Sequence, residues 1–356
     1  MAQKIHTIIT HERPHLDEIV AIWLLLRFGE ETFPEIQDAK INFWRKEMGN
    51  RSSAKREQEG ILCIGCGGGR FDEHPTEKKK RKKNECSSTL VAKELEVDDC
   101  PSLNKIIAFA KSNDLEGSGH PFDIAHLATL LYEQKPNANG EVINWVMQGI
   151  TAKYEEQRQF WTKTKTEFLK NALVEEIHSA CGKLKLATVV SGDPIISKFA
   201  RSRAGGNISV VIQKQPSGHT QIFTNQRMGI RLEDVARILR VEERAVKNIH
   251  DPVPWSYLVS EGKISGAEEW YFHEKLQVLL NGSKTASDAP LTQLSLEKIK
   301  EIVKIGLNSS VFEPKRASVC SKGSCSSSKK KPCPWYSWGL SRCRGIRFNS
   351  YHKGKK

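Results

Sequence analysis

The sequence predicts an α/β protein with two α/β domains, and two observations predict it. Short apolar runs that favour strands occur at 4–10 (KIHTIIT), 40–44 (KINFW) and 60–65 (GILCIG), with a helix-like segment between the first two. The same texture begins again at 183–190 (KLKLATVV). We therefore expect an N-terminal domain with a mostly parallel sheet and helices (1–140), a helical connector (141–182), a smaller C-terminal α/β domain (183–313) and a basic, cysteine-containing tail (314–356).

The elements of the N-terminal half follow from periodicity and caps. In 17–31 (DEIVAIWLLLRFGEE) the apolar residues fall on one helical face. After Cys86 the sequence is helical in character, and serine and proline stand at plausible helix starts. Further helices are expected over 87–97, 101–114, 122–134 and 141–177, the last a proline-free stretch that forms one long helix or two joined by a bend.

The elements of the C-terminal half follow from similar signals. The strand-like runs 207–215 and 219–225 flank Pro216-Ser217-Gly218, which predicts a hairpin. Amphipathic helices are expected over 229–246 and 294–307.

Composition excludes several classes of protein. Hydrophobic residues make up 38% and charged residues 27%, as in globular proteins, and no apolar run approaches the roughly 18 residues of a membrane-spanning helix. We expect no signal peptide, because 1–18 carries histidines and acids where an apolar core would stand. The nine cysteines are odd in number and unevenly placed, which favours the reducing cytoplasm over a disulfide framework.

The net charge of +13 is concentrated in two places. Residues 315–356 contain twelve lysines and arginines and no acid, so this segment contributes +12. A run of six cations, KKKRKK, stands at 78–83. Such clusters bind polyanions, and nucleic acid is the expected partner. The alternative interpretation is a solubilising tail and a solvated loop.

Metal-ligand residues follow two of the predicted strands. His11, His15 and Asp17 have the spacing H-x3-H-x-D after the first strand, and Asp72 and His74 follow the strand that leads into Gly67–Gly69. Ligand sites in α/β sheets form beyond the carboxyl ends of strands. A mixed histidine and aspartate set favours Zn²⁺, Fe²⁺ or Mn²⁺ over Ca²⁺. Asp114 is a candidate sixth ligand, and the alternative is a helix N-terminus with exposed histidines.

On these residues the chain resembles the DHH phosphoesterase superfamily, and within it the MYG exonuclease family. The opening block is matched by Thr10, His11, His15, Asp17 and Glu18, and a later block by Gly68, Gly69, Asp72 and His74. The resemblance implies two Mn²⁺ or Mg²⁺ ions, a metal-binding α/β domain and a C-terminal domain that closes on a phosphodiester. It further implies metal ligation by His11, His15, Asp17, Asp72, His74 and Asp114, with Asp72 and His74 also catalytic.

Two departures from the family pattern affect the expected chemistry. Glu73 stands where the middle residue of the DHH triplet would be, and the aspartate that ends the second strand is absent, with Glu47 as the nearest acid. A missing bridging carboxylate would leave one metal in place of two, or a site that binds without cutting.

Further candidates contact the substrate or stabilise the tail. We expect Gly68, Gly69 and Arg70 to approach a substrate in the N-terminal domain. In 266–285 (GAEEWYFHEKLQVLLNGSKT) the aromatic strand and the turn after it offer candidate phosphate contacts, and an ordinary hairpin turn is the alternative. The candidates in this stretch are His273, Gly282, Ser283 and Lys284.

The tail cysteines have the spacing C-x4-C-x7-C-x9-C, as Cys320, Cys325, Cys333 and Cys343. Four thiolates hold a structural Zn²⁺ in many small modules, and the interleaved aromatic and arginine residues suit base stacking. The alternative is a disordered basic tail with incidental thiols. For Cys63 and Cys66 we expect small buried side chains, because they lie on a predicted strand.

The sequence thus predicts a metal-dependent phosphodiesterase, exonuclease-like, acting on nucleic acid or oligonucleotides and without a membrane partner. One alternative is a nucleic-acid-binding protein whose DHH-like site has lost its activity. Another is a hydrolase of small phosphoester metabolites. The oligomeric state stays open.

Overall fold

The structure is a computed structural model of the 356-residue chain. It describes residues 4–45, 52–74, 84–179, 182–282, 286 and 288–353. Residues 350–353 are described by their backbone alone. The chain forms two compact units, Met1–Trp161 and Thr162–Lys356. None of the helices in the described ranges is long and apolar enough to span a bilayer.

The N-terminal unit contains a three-stranded parallel sheet in the order β2-β1-β3. Its strands are β1 (Thr7–Thr10), β2 (Lys40–Phe43) and β3 (Ile61–Cys63). Its helices are α1 (Leu16–Phe28), α2 (Ser53–Gln58), α3 (Ser87–Glu94), α4 (Asn104–Glu116), α5 (Ile124–Gln134) and α6 (Asn139–Gln159). The predicted parallel arrangement is therefore confirmed.

Helix α1 is the centre of this unit. All of its residues from Leu16 to Leu25 are buried, so the helix is enclosed on all sides, and it packs against α3, α4 and α6. A helix that is apolar all round is a core helix. The central position of α1 fixes where its first turn, with Asp17 and Glu18, lies relative to the sheet.

The C-terminal unit contains a seven-stranded mixed sheet in the order β4-β5-β6-β7-β10-β9-β8. Only the β5–β6 pair is parallel among its pairings in the described chain. Its strands are β4 (Leu173–Ser179), β5 (Gly182–Val190), β6 (Val210–Lys214), β7 (Thr220–Thr224), β8 (Gly262–Ile264), β9 (Ala267–His273) and β10 (Val278–Leu280). Its helices are α7 (Lys165–Asn171), α8 (Ile196–Arg201), α9 (Glu233–Val246), α10 (Leu296–Leu307), α11 (Ala317–Cys320), α12 (Pro334–Ser337) and α13 (Ser341–Lys353).

The α/β class is confirmed, and two expectations within it are corrected. We expected the C-terminal domain to be the smaller, whereas it carries seven strands against three. The helical prediction over 141–177 holds through α6, a π-helical segment Phe160–Thr164 and α7, but it is wrong from Leu173. There β4 pairs with β5 along its whole length, because the Leu173–Ser179 backbone forms an antiparallel ladder that local periodicity does not reveal.

The tail is folded onto the C-terminal unit. Cys333, Trp335, Leu340 and Cys343 belong to the same buried cluster as the sheet residues Val210 and Trp270. The expectation that the tail aromatics are available to stack bases is wrong for Trp335, which is 8% exposed. A large apolar ring gains more from burial in the core than from exposure to water.

Candidate metal centre

The pairing of β1 with β3 sets up the site. The strands are parallel, with Thr7 opposite Ile61 and Ile9 opposite Cys63, so their carboxyl ends lie at the same edge of the sheet. The polar segments that follow them, 11–18 and 65–74, therefore meet there.

After β1 the chain turns sharply into α1. Arg13 has φ +56°, a conformation that few residues other than glycine adopt. The backbone N–H of His15 donates to Glu18 Oε2 at 2.5 Å, which fixes the first turn of the helix. Nε2 of His11 lies 2.6 Å from the carbonyl oxygen of Gly65. A carbonyl only accepts, so Nε2 carries the proton and Nδ1 of His11 keeps a lone pair for a ligand.

After β3 the glycine segment wraps around Asp72. Gly67 and Gly68 have φ +77° and +68°. The Gly68 N–H donates to Asp72 Oδ2 at 2.7 Å, and the His74 N–H donates to Asp72 Oδ1 at 3.0 Å. Nδ1 of the His74 ring is also 3.0 Å from Asp72 Oδ1. Asp72 thus orients the imidazole and leaves Nε2 of His74 for a cation or a proton.

The start of α3 completes the site from a third direction. The Ser87 N–H donates to Asp17 Oδ2 at 3.1 Å, and its hydroxyl donates to Glu73 Oε2 at 3.0 Å. Asp114 of α4 and the buried thiol of Cys86 lie so close to Asp17 that the ligand atoms of all three are within 4.8 Å of one another. Asp72, Glu73 and His74 form a second group of this kind.

These groups surround one cavity of about 270 Å³ in the N-terminal unit. The rings of His11 and His74 face each other edge-on across it, with centroids 6.4 Å apart. Its lining residues are His11, Glu12, Arg13, His15, Asp17, Glu18, Glu73, His74 and Asp114.

Burial and like charge perturb the carboxyl groups. Burial, followed by the nearby Asp114 and Glu73, raises the pKa of Asp17 to about 7. Burial and Asp17 raise the pKa of Glu18 to about 9. Burial likewise raises the pKa of the Cys86 thiol. Such shifts are expected where several acids share a site, and a divalent cation reverses them by stabilising the ionised forms.

The donor set fits a divalent transition metal. Carboxylates, imidazoles and a thiol together suit Zn²⁺, Fe²⁺ or Mn²⁺, whereas Mg²⁺ prefers oxygen ligands alone. The thiol of Cys86 increases the preference of this donor set for softer ions such as Zn²⁺.

The structure brings five predicted ligands to the cavity wall, and it places Asp72 directly behind one of them. The five are His11, His15, Asp17, His74 and Asp114. Glu73, which departs from the family pattern, is also in the wall and is only 2% exposed. Glu47 lies outside the described residues; β2 ends at Phe43 and is followed by Trp44 and Arg45.

The predicted substrate contacts are placed differently. Arg70 does not line the metal cavity: its guanidinium forms ion pairs with Glu57 at 2.7 Å and Glu94 at 2.8 Å. These carboxylates pair with the guanidinium, and the substrate contact of Arg70 stays a prediction. Gly68 serves the turn around Asp72. A Cβ at Gly69 would stand 2.9 Å from that of Ser53.

The candidates of the C-terminal unit lie at a strand end. His273 ends β9, with Nδ1 3.3 Å from Glu261. Gly282 has φ +74° and is packed so tightly against His219 that a Cβ would stand 2.4 Å from the ring. Ser283 and Lys284 lie outside the described residues. Cys63 and Cys66 are buried, as expected.

Sequence reasoning missed Cys86, Ser87 and Arg13 as parts of the site. A polar Cys-Ser-Ser start to a helix was the available signal, and it was interpreted as a cap alone. A second cavity of about 530 Å³ was missed as well. It shares Arg13 and His15 with the metal cavity, and its wall includes His120, His126 and Tyr132.

No protein-family model matches the chain, and no curated protein matches it. Among solved structures, it is similar to one described as an uncharacterized protein from Helicobacter pylori G27. The identity is 10%, over 84% of this chain and 98% of that one, with a TM-score of 0.21.

Proposed function

We propose that the chain is a metal-dependent phosphoesterase that hydrolyses phosphodiester bonds in nucleic acid or oligonucleotides, with its centre in the N-terminal unit. One observation carries the proposal. The parallel ends of β1 and β3 bring three histidines and three buried carboxyl groups to one cavity, and the start of α3 holds two of those carboxyl groups in place.

The donor groups divide into two neighbouring sets. Asp17, Asp114 and Cys86 would hold one cation, and Glu73 with His74 would hold or share a second. A divalent metal in such a site supplies Lewis-acid stabilisation of phosphoryl oxygens and an activated water at neutral pH. Mn²⁺ is the ion that we test first, because carboxylates and imidazoles both bind it.

The chain's own residues position the metal ligands and the proton. Ser87 fixes the carboxylates of Asp17 and Glu73, and Asp72 fixes the ring of His74. The side chain of His74 is about half exposed to the cavity. Because Asp72 holds its ring in place, His74 is suited to contact a phosphate or to give a proton to the leaving oxygen.

The adjoining cavity supports an extended substrate. A volume of about 530 Å³ is in the range of ligand pockets. Arg13 stands at the junction of the two cavities, where its guanidinium suits a phosphate. Its left-handed backbone is the kind of local strain that functional sites retain. The excess of +12 in 315–356 supports a polyanionic partner.

Similarity of the ligand pattern to the DHH superfamily supports the same reaction. Glu73 places a carboxylate oxygen where the family pattern has an imidazole nitrogen, and carboxylates also bind divalent cations. The aspartate expected after β2 has no counterpart in the described residues there, where Trp44 packs against Cys63 and Cys66. That observation favours a second candidate function, namely nucleic-acid binding without turnover.

The test is hydrolysis of labelled single-stranded RNA, single-stranded DNA and a dinucleotide by the full chain, with and without Mn²⁺. We expect Mn²⁺-dependent release of mononucleotides from at least one substrate. Asp17→Asn should reduce turnover by about a hundredfold or more, because it removes a charged metal ligand. Asp98→Asn, at an exposed site between α3 and α4, is the matched control and should retain full activity.

Two outcomes would contradict the proposal. Equal activity in Asp17→Asn and the wild type would mean that hydrolysis comes from elsewhere, including a contaminant. Tight binding of RNA or DNA with no turnover under Mn²⁺, Mg²⁺, Zn²⁺, Fe²⁺ or Co²⁺ would select the binding protein.

A further inference from the structure

The four cysteines of the tail, which are separated in sequence, line one small cavity in the C-terminal unit. Cys320 is the last residue of α11, Cys333 directly precedes α12, and Cys343 lies in the first turn of α13. Cys325 lies in the loop after α11. Four separate segments therefore bring a thiol to one place, as in tetrathiolate zinc sites.

The cavity has the size of a single ion. Its volume of about 10 Å³ is enough for one particle of about the size of a water molecule. It is too small for an organic ligand. Among the described residues that line it there is no carboxylate and no imidazole. Thiols are therefore its metal-binding groups.

The loop 325–333 is held in shape by hydrogen bonds that involve no sulfur atom. Nη2 of Arg316 donates to the carbonyl oxygen of Lys331 at 3.0 Å. The N–H of Cys333 donates to Ser327 Oγ at 3.1 Å. The backbone that carries the thiols is thus organised by contacts other than a bound ion.

Packing anchors one side of this cluster. Cys333 and Cys343 are 5% and 9% exposed and belong to the domain core together with Trp335 and Leu340. The other two cysteines are half-buried. A single buried cysteine is usually unreactive and binds no metal. Here four cysteines line the same cavity, which gives a metal ion enough ligands.

The thiols also raise one another's pKa values. Burial raises the pKa of Cys343, Arg342 opposes this rise, and Cys333, Cys320 and Cys325 add to it, so that the pKa is about 11. Burial and the neighbouring Cys325 and Cys333 raise the pKa of Cys320 as well. Four thiolates at this spacing repel one another, and a divalent cation removes that repulsion.

We propose that these four cysteines bind one structural Zn²⁺ ion as thiolates. Binding releases the four thiol protons to solvent and involves no change of oxidation state. The ion fastens residues 314–353 to the C-terminal unit, where Ser341 already donates to Asp234 and Trp255 donates to the carbonyl oxygen of Ser337. This site is independent of the proposed phosphoesterase centre.

Binding of the ion would draw the four sulfur atoms closer together. With Zn–S bonds of about 2.3 Å, the sulfur atoms of a tetrahedral site lie about 3.8 Å apart. The cysteines do not form one of the tight groups within 4.8 Å found in the N-terminal unit. Cys320 at the end of α11 and Cys325 in the loop after it are half-buried, so their side chains have more room to rotate inward than those of Cys333 and Cys343.

The test is the metal content and cobalt spectrum of the full chain purified without chelator. All cysteine substitutions are made in the Asp17→Asn variant, which weakens metal binding at the N-terminal centre. The zinc measured per chain then reports on the tail site. We expect about one zinc per chain, lost in Cys333→Ser and in Cys343→Ser. Replacement by Co²⁺ should give the visible bands of tetrahedral coordination and a strong thiolate charge-transfer band. Cys100→Ser, at a half-buried cysteine outside both sites, is the matched control.

A second measurement covers the case in which the serine variants fail to fold. A chelator added to the parent chain should remove the ion and increase cleavage by protease within 314–353, and added Zn²⁺ should reverse both effects. Retention of zinc in all four single Cys→Ser variants would overturn the proposal. Two disulfides among these cysteines in the freshly purified protein, or absence of both zinc and a cobalt–thiolate spectrum, would do so too.

Discussion

The backbone N–H of Ser87 donates a 3.1 Å hydrogen bond to Oδ2 of Asp17, a residue 70 positions earlier in the chain. The Ser87 hydroxyl donates to Glu73 on the other wall of the same cavity. One residue at the start of α3 therefore positions a carboxyl group from each of the two segments that follow the parallel strands. The relationship explains why the site depends on α3 although α3 supplies few of its ligands.

Substitution Ser87→Ala tests this role. It keeps the bond from the backbone N–H to Asp17 but removes the hydroxyl, whose one hydrogen serves both Glu73 Oε2 and the carbonyl oxygen of Phe71, so these acceptors lose their donor. We expect the free energy of unfolding to fall by about 1–3 kcal/mol. The affinity for Mn²⁺ should fall by about 10-fold or more, because the ligand Glu73 loses its orienting partner.

Denaturant titration and calorimetric metal titration measure the two effects. Ser321→Ala, which removes an exposed hydroxyl in the C-terminal unit, should change neither. An unchanged Mn²⁺ affinity in Ser87→Ala would show that Glu73 is not a ligand.

The stability of the metal-free chain should depend on pH through Asp17 and Glu18. Their pKa values are raised to about 7 and about 9 from ordinary values of 3.8 and 4.5. The folded state thus binds protons more tightly than the unfolded state. The stability that protonation confers is fully present below about pH 4 and is lost as the pH rises through 7 for Asp17 and 9 for Glu18.

Asp17→Asn should remove the loss of stability that accompanies ionisation of Asp17 near pH 7. We expect its free energy of unfolding, measured with a chelator present, to exceed that of the wild type by about 2–4 kcal/mol at pH 8. The difference should shrink to about 1 kcal/mol at pH 5, where the wild-type carboxyl is still protonated when folded. A difference that is the same at both pH values would mean that this carboxyl titrates normally.

Cys86→Ser should change the choice of metal. The thiol is fully buried beside Asp17 and Asp114, and a thiolate favours soft ions. We expect the affinity for Zn²⁺ to fall by about tenfold or more, while that for Mn²⁺ stays within about threefold. Competition with a fluorescent chelator measures both, and Cys100→Ser should leave both unchanged.

Gly65→Ala should destabilise the site. Gly65 has φ +66°, and a Cβ there would stand 2.5 Å from Oε1 of the buried Glu18. We expect a loss of about 1–3 kcal/mol in the free energy of unfolding. Gly140→Ala is the matched control: this helical glycine has open space around it, so alanine should be neutral or stabilising by about 0.5–1 kcal/mol. Similar effects of the two substitutions in thermal unfolding would contradict the role given to Gly65.

The pattern of residues was enough to predict the fold class and the groups that stand at the strand ends. Apolar runs of strand length predicted β1 and β3, and polar ligand residues directly after them could only lie at the edge of the sheet. His11, Asp17 and His74 were therefore predictable as neighbours, because parallel strands present their carboxyl ends together. The same local signals predicted the hairpin between β6 and β7.

The partners that come from distant segments depend on how the helices and strands pack together. Cys86 and Ser87 reach the site because α3 packs against α1, and neither spacing nor periodicity encodes that contact. Arg70 offered a charge suited to phosphate, but Glu57 and Glu94 neutralise it. Strand β4 likewise depends on its ladder with β5, which overrides a helical local pattern. Hydrogen bonds and charge pairs between distant segments form only once the chain is folded, and these contacts determined which of the polar residues share a site.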